Sequence, residues 1–203
     1  MTMPRPLRTP AEPVALHDRA MDNLRFIRET MERAGYFTAV PGWGGVAMGV
    51  TAVGAAGLAA RASTTGEWLV IWLVEAVLAA AVAGAAMVRK ARAAGQTLST
   101  GPARKFALGF LPPVAAGAVL TAALADAGVV ERLPGVWLLL YGAAVVTGGA
   151  HSVRVVPILG VCLMVTGVLA LLSPAAWGDA WMAAGFGGLQ ILFGAIIARR
   201  HGG

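Results

Sequence analysis

Six long apolar runs alternate with short polar segments between residues 37 and 200. The runs lie at about 37–60, 67–88, 107–128, 134–150, 155–173 and 180–198. A helix that crosses a bilayer needs roughly 20 apolar residues, so the pattern predicts an all-α integral membrane protein with six transmembrane helices. Pro112 and Pro113 should kink the third helix or mark its beginning, because a proline nitrogen cannot donate a backbone hydrogen bond.

The composition favours a membrane protein and argues against a water-soluble globule and a disordered chain. Of the 203 residues, 58% are apolar and 13% are charged, and the mean hydropathy is +0.73. Soluble domains are about 45–50% apolar and about 25% charged, and a disordered chain could not leave this much apolar surface in water. The single cysteine rules out an internal disulfide and a multi-cysteine metal site.

The positive charges predict the orientation in the membrane. With a cytoplasmic N-terminus, 14 of the 16 Lys and Arg residues lie inside, and only Arg61 and Arg132 lie outside. Cytoplasmic loops carry such an excess, so we predict a bacterial inner-membrane protein with both termini in the cytoplasm. The basic tail faces the lipid leaflet and does not indicate a nucleic-acid partner. Five tryptophans fall near the predicted outer helix ends, where indole rings favour the interface: Trp68, Trp72, Trp137, Trp177 and Trp181.

The segment before the first transmembrane helix has two parts. Residues 1–16 contain four prolines and should be disordered or extended. Residues 17–36 predict a cytoplasmic amphipathic helix, because Leu24, Ile27 and Met31 recur at helical spacing. Two interpretations stay open for this helix: it lies on the inner leaflet, held by its apolar stripe and its arginines, or it docks onto a cytosolic partner or a second copy of the chain.

Landmark residues with matching separations indicate an internal repeat. Three threonines are separated by 70 and 45 residues, and three tryptophans by 69 and 44: Thr51, Thr121 and Thr166, and Trp68, Trp137 and Trp181. We therefore predict that the transmembrane domain, residues 37–200, consists of three helical hairpin repeats in one orientation. The threonine hydroxyls are expected to bond the carbonyl four residues back in their own helix.

Part of this pattern resembles the HdeD-like acid-resistance membrane proteins, a family of six-span bacterial membrane proteins. The resemblance covers residues 113–200 and rests on glycine-containing hairpins with short outer turns and on the run LQILFG at residues 189–194, which precedes basic residues. It implies a role in protection against acid stress. It assigns no site residues, and the arginine-rich N-terminal helix is not part of it.

Glu75 is the one formally charged residue well inside a predicted span, roughly 10 Å below the outer interface. An ionised carboxylate there costs roughly 2.5–3.5 kcal/mol, so we expect it to face the protein interior and burial to favour its neutral form. Gln190 is its candidate polar partner, on a helix face that includes Gly187 and Gly194. The site either takes up a proton or binds a cation, or it is a neutral contact that holds helices together.

The sequence contains no recognisable catalytic, metal or cofactor motif, and we do not expect an enzyme. The carboxylates of the outer turns, Asp179 among them, are interpreted as solvated. We interpret the protein as a small transport-like or stress-protective module with Glu75 as its titratable centre. The alternative is a non-transporting scaffold or sensor that binds a cytosolic partner through its N-terminal helix. A homo-oligomer fits either interpretation.

Overall fold

The computed structural model describes Arg19, residues 21–27, Met31 and residues 40–93, 101–150 and 152–201. The predicted disordered tail, residues 1–16, and most of the predicted helix at 17–36 lie outside this part. The chain divides into two units, Met1–Tyr36 and Phe37–Gly203. In the first unit, residues 21–27 are helical, and Leu24, Ile27 and Met31 are exposed. The contact of these side chains with a leaflet or a partner stays a prediction.

Six helices make up most of the second unit, as the apolar pattern predicts. They are α1 (Gly42–Ala59), α2 (Thr65–Ala93), α3 (Gly101–Asp126), α4 (Leu133–Gly149), α5 (Val155–Leu172) and α6, which runs through residues 178–201 in three consecutive segments. All six are long and apolar enough to cross a membrane, and the chain is therefore a multi-pass membrane protein. Short 3₁₀ turns, Val130–Arg132 and Ala175–Trp177, precede α4 and α6.

Helix α3 continues through Pro112 and Pro113, so the prediction that this pair marks its beginning is wrong. Pro113 lacks the amide hydrogen that would bond the Gly109 carbonyl. The hydroxyl of Thr147 in α4 lies 2.7 Å from that oxygen and 2.8 Å from the Ala143 carbonyl oxygen of its own helix, and it shares its one hydrogen between the two acceptors. Hydroxyls of neighbouring helices satisfy backbone groups that proline frees in a membrane. The close approach requires a glycine, because a Cβ at position 109 would lie 2.7 Å from the Thr147 carbonyl oxygen.

Glycines bring four of the helices into backbone contact. A Cβ added at Gly142 of α4 would lie 2.7 Å from the Gly160 oxygen of α5, and one added at Gly160 would lie 2.7 Å from the Gly142 oxygen. Helices α1 and α6 meet in the same way, with a Cβ at Gly49 placed 2.7 Å from the Gly187 oxygen. Small residues permit this approach in membranes, where van der Waals packing drives helix association. Most residues of the buried hydrophobic core lie on these four helices, α1, α4, α5 and α6.

Helices α2 and α3 lie at the edge of this core. Only 11% of the apolar window of each is buried, against 28–44% for the other four helices. Helix α2 packs against α1 and α3 packs against α4, but the described residues of α2 and α3 share no extended contact with each other. Near the end of α2, Ala91 packs with Ala103 and Phe106 at the start of α3, so the bundle is open between these two helices only beyond that contact.

Successive helices run antiparallel. The start of α1 at Gly42 lies against Ala198 near the end of α6, and Gly44 lies against Ala86 in the last part of α2. The turns before α2, α4 and α6 consequently meet at one end of the bundle. We name it the tryptophan end after three residues near it: Trp68, Trp137 and Trp181.

Replacing Gly142 with alanine should destabilise the fold by about 1–3 kcal/mol, because the new methyl group overlaps the backbone of α5. The measurement is thermal unfolding of the purified protein in detergent, followed by circular dichroism. Gly57→Ala in α1 is the matched control, since a Cβ there has no neighbour within 4 Å. Equal melting temperatures for the two variants would contradict the backbone contact between α4 and α5.

Candidate functional site: an intramembrane cavity

A cavity of about 420 Å³ lies within the bundle, lined by residues of α1, α2, α3, α4 and α6. Its volume falls in the range of small-molecule sites, roughly 300–1,000 Å³. Glu75 and Gln190, the two residues of the predicted polar site, both line it. Both are buried, with 8% and 6% of their surface exposed. The carboxylate therefore lies inside the protein, in the wall of the cavity.

Thr51 on the neighbouring helix α1 holds the Glu75 carboxylate. Its hydroxyl donates to Glu75 Oε1 at 2.8 Å and also lies 2.9 Å from the Met48 carbonyl oxygen. This arrangement suits both protonation states of Glu75. The hydroxyl donates to an ionised carboxylate, whereas a protonated carboxyl donates to Thr51 Oγ1 while the hydroxyl turns to Met48. Within the described part of the chain, Glu75 Oε2 has no hydrogen-bond partner, so it can bond an occupant of the cavity.

Gln190 reaches the cavity from α6. Its Nε2 donates to the hydroxyl of Tyr141 in α4 at 2.9 Å, and the Tyr141 ring lies edge-on to Phe110 and Phe186, with centroids 5.8 and 5.3 Å away. Gln190 directly follows the π-helical segment Ala183–Leu189, and such segments frequently mark functional sites. The described side chains of Glu75 and Gln190 share the cavity without a hydrogen bond between them.

Indole groups border the cavity at the tryptophan end. Asp179 Oδ1 of α6 accepts hydrogen bonds from Trp68 Nε1 at 2.8 Å and Trp72 Nε1 at 3.2 Å. Trp68 stacks on Trp137 with centroids 5.7 Å apart and planes at 6°, and Trp137 Nε1 donates to Thr121 Oγ1 at 2.8 Å. These five residues, the tryptophan cluster, join α2, α3, α4 and α6 around one end of the cavity.

The tryptophan cluster corrects two expectations. Trp72 is only 3% exposed and belongs to the core, because its N–H has a protein acceptor and the ring need not remain at the interface. Asp179 is not a solvated turn residue, since it is half-buried and accepts both indole bonds.

The three threonines of the predicted repeat differ in their contacts. Thr121 and Thr166 donate to the carbonyls four residues back, those of Gly117 and Cys162, at 2.7 and 2.9 Å, as expected. Thr51 in addition bonds Glu75 across the helix boundary. Thr51 is the partner of Glu75 that the sequence did not reveal.

The lining chemistry suits an organic molecule better than a metal ion. In the part of the chain that the structure describes, no three His, Cys, Asp or Glu side chains come together as metal ligands. The cavity wall is mostly apolar, and its polar groups come chiefly from Glu75, Thr121, Tyr141 and Gln190. Pockets of this kind use a few polar groups to orient a largely apolar ligand.

No protein-family model, curated protein or solved structure matches this chain. An assignment of function therefore depends on the geometry of the cavity.

Asp179→Ala should destabilise the protein by about 1–3 kcal/mol, because two indole N–H groups lose their acceptor. Asp179→Asn should restore most of the stability, since the amide oxygen still accepts. Thermal unfolding in detergent measures both effects. Asp126→Ala, which removes an exposed carboxylate at the same end of the bundle, should change the stability by no more than about 0.5 kcal/mol. An equal loss in Asp126→Ala and Asp179→Ala would show that the tryptophan cluster does not depend on Asp179.

Proposed function

We propose that the protein is a small transport-like or stress-protective membrane module in which Glu75 takes up and releases a proton inside the cavity. The observation that carries the proposal is the position of Glu75, with one oxygen bonded to Thr51 at 2.8 Å and the other without a protein partner in the described structure. The hydrogen bond that joins α2 to α1 through Thr51 occupies one of the two oxygens. The other oxygen is available to a proton or a ligand.

The energetic cost of ionising Glu75 is compatible with a titratable group. A carboxylate at the centre of a spanning helix costs roughly 2.5–3.5 kcal/mol. A hydrogen bond to a charged group contributes about 1.5–3 kcal/mol, so the Thr51 hydroxyl offsets a large part of that cost. A polar or cationic occupant of the cavity would offset more. Both protonation states are therefore within reach.

We also propose an orientation in the membrane, a role in acid stress and a three-hairpin repeat. The distribution of Lys and Arg supports both termini in the cytoplasm of a bacterial cell and a location in the inner membrane. The resemblance of residues 113–200 to the HdeD-like proteins supports a role in acid stress. The matching separations of the Thr and Trp landmarks support the three-hairpin repeat, although the most extensive helix packing joins α4 to α5 and α1 to α6 rather than the two helices of one hairpin.

A second candidate function is a non-transporting scaffold or sensor. The observation in its favour is the exposed apolar surface of the N-terminal unit, where Leu24, Ile27 and Met31 are 60%, 50% and 72% exposed. Such a surface suits a lipid leaflet or a cytosolic protein. In this account the N-terminal helix is essential and Glu75 is replaceable.

Glu75→Gln should fold normally and lose the proton-linked function, because the amide keeps the size and hydrogen bonding of the carboxyl group but cannot ionise. In infrared difference spectra between acidic and neutral pH, the wild-type protein should show a titrating carboxyl band that the variant lacks. In cells without their own copy of the gene, the wild-type chain should restore survival of acid stress and Glu75→Gln should not. A folded variant with full survival would favour the scaffold.

Two matched controls accompany this experiment. Glu67→Gln removes a carboxyl group that is exposed near the start of α2 and bonds the Ser63 amide at 2.9 Å, so survival should be unchanged. Thr51→Val should impair the function because it removes the hydroxyl that stabilises the ionised carboxylate. Thr166→Val removes a hydroxyl that bonds its own helix and should have no such effect.

A further inference from the structure

The cavity opens sideways, between α2 and α3. Its exposed lining residues all lie on these two helices: Leu73, Ala76, Ala80, Val114 and Ala118. The lining residues from α1, α4 and α6 are buried or half-buried. The mouth lies beyond the contact of Ala91 with Ala103 and Phe106, between the exposed faces of two apolar helices, and it faces the hydrocarbon core when these helices span a bilayer. A molecule dissolved in the bilayer can therefore enter without crossing the loops.

The interior of the cavity favours an apolar occupant. Five aromatic side chains line it: Trp72, Phe110, Trp137, Tyr141 and Phe186. A buried water needs two to four polar partners, and most of this wall offers none. Alkyl or aryl groups, in contrast, gain contact with the rings and alanines.

The negative charge of ionised Glu75 determines whether a bound molecule should be positively or negatively charged. Glu75 is the one acidic or basic side chain among the described residues of the lining. When ionised, it repels an anion and attracts a cation in surroundings where screening is weak. The faces of the aromatic rings also attract cations. A neutral apolar molecule would leave Glu75 Oε2 without a partner.

We propose that the cavity binds a lipophilic organic cation, which enters from the bilayer between α2 and α3 and pairs with ionised Glu75. This inference rests on the proposed function, because Glu75 must release its proton before it can pair with the cation. Proton and cation then exchange at one carboxylate, and no covalent step is involved. The apolar groups of the ligand contact the aromatic wall while its charge lies near Glu75.

The test compares two ions of similar shape and opposite charge, tetraphenylphosphonium and tetraphenylborate. Their binding is measured to the full-length protein in phosphatidylcholine nanodiscs, after subtraction of binding to empty nanodiscs. We expect the phosphonium to bind at least about tenfold more tightly than the borate, and Glu75→Gln to reduce its affinity at least about tenfold. Equal affinities for the two ions, or an unchanged affinity in Glu75→Gln, would overturn the proposal. If Glu75→Gln does not fold, the comparison of the two ions on the wild-type protein decides.

A large side chain introduced at the mouth of the cavity, between α2 and α3, tests the entry route. Ala118→Trp narrows the opening and should slow phosphonium association several-fold. Ala116→Trp adds the same side chain at an exposed position of α3 that does not line the cavity. This variant should leave the rate of phosphonium association unchanged. Equal association rates would overturn entry between α2 and α3. A dimer in the nanodisc that binds neither ion would also overturn the proposal, because a second copy would then cover the mouth.

Failure of this inference can be told apart from failure of the proposed function. A titrating Glu75 band without a preference for the phosphonium would overturn only the ligand class. Phosphonium binding that depends on Glu75, in a protein whose variant still supports acid survival, would contradict only the proton-linked function.

Discussion

Backbone contact between helices at glycine positions is the constraint on which the rest of the structure depends. Gly142 and Gly160 bring α4 and α5 together, and Gly49 and Gly187 do the same for α1 and α6. In a membrane, close packing of this kind decides which helices associate, because lipid chains are as apolar as the side chains they would replace. Helix α2 packs mainly against α1 and α3 mainly against α4, and a gap lies between α2 and α3 from the contact at Ala91 to the tryptophan cluster.

The gap gives Glu75 surroundings that a fully packed bundle would not provide. The carboxylate is buried, bonded to Thr51 and adjacent to the open space of the cavity. At the tryptophan end of the gap, hydrogen bonds from Trp68 and Trp72 to Asp179 hold α2 against α6. A buried carboxylate is rare in a spanning helix and usually functional, and here rigid contacts hold it beside a cavity large enough for a small molecule.

The sequence predicts the helices well because a spanning helix depends on local composition. The burial of Glu75 follows from the cost of a charge in lipid. The cavity does not follow from hydropathy, because it depends on which helices pair. One sequence pattern does indicate which helices pack closely. Glycines seven residues apart, such as Gly142 and Gly149, occur in α1, α4, α5 and α6 but not in α2 or α3. Trp72 and Asp179 were misjudged because a hydrogen bond between residues 107 positions apart leaves no local pattern.

The central claim is that the Glu75 cavity opens to the bilayer between α2 and α3. Nuclear magnetic resonance of ¹³C-methyl alanine in nanodiscs, with a nitroxide carried on the lipid chains, tests it directly. Ala79 and Ala83 line the cavity and are half-buried, whereas Ala144 is fully buried. The account predicts that the nitroxide broadens the Ala79 and Ala83 methyl signals more strongly than the Ala144 signal. Ala79 and Ala83 signals as sharp as that of Ala144 would contradict it.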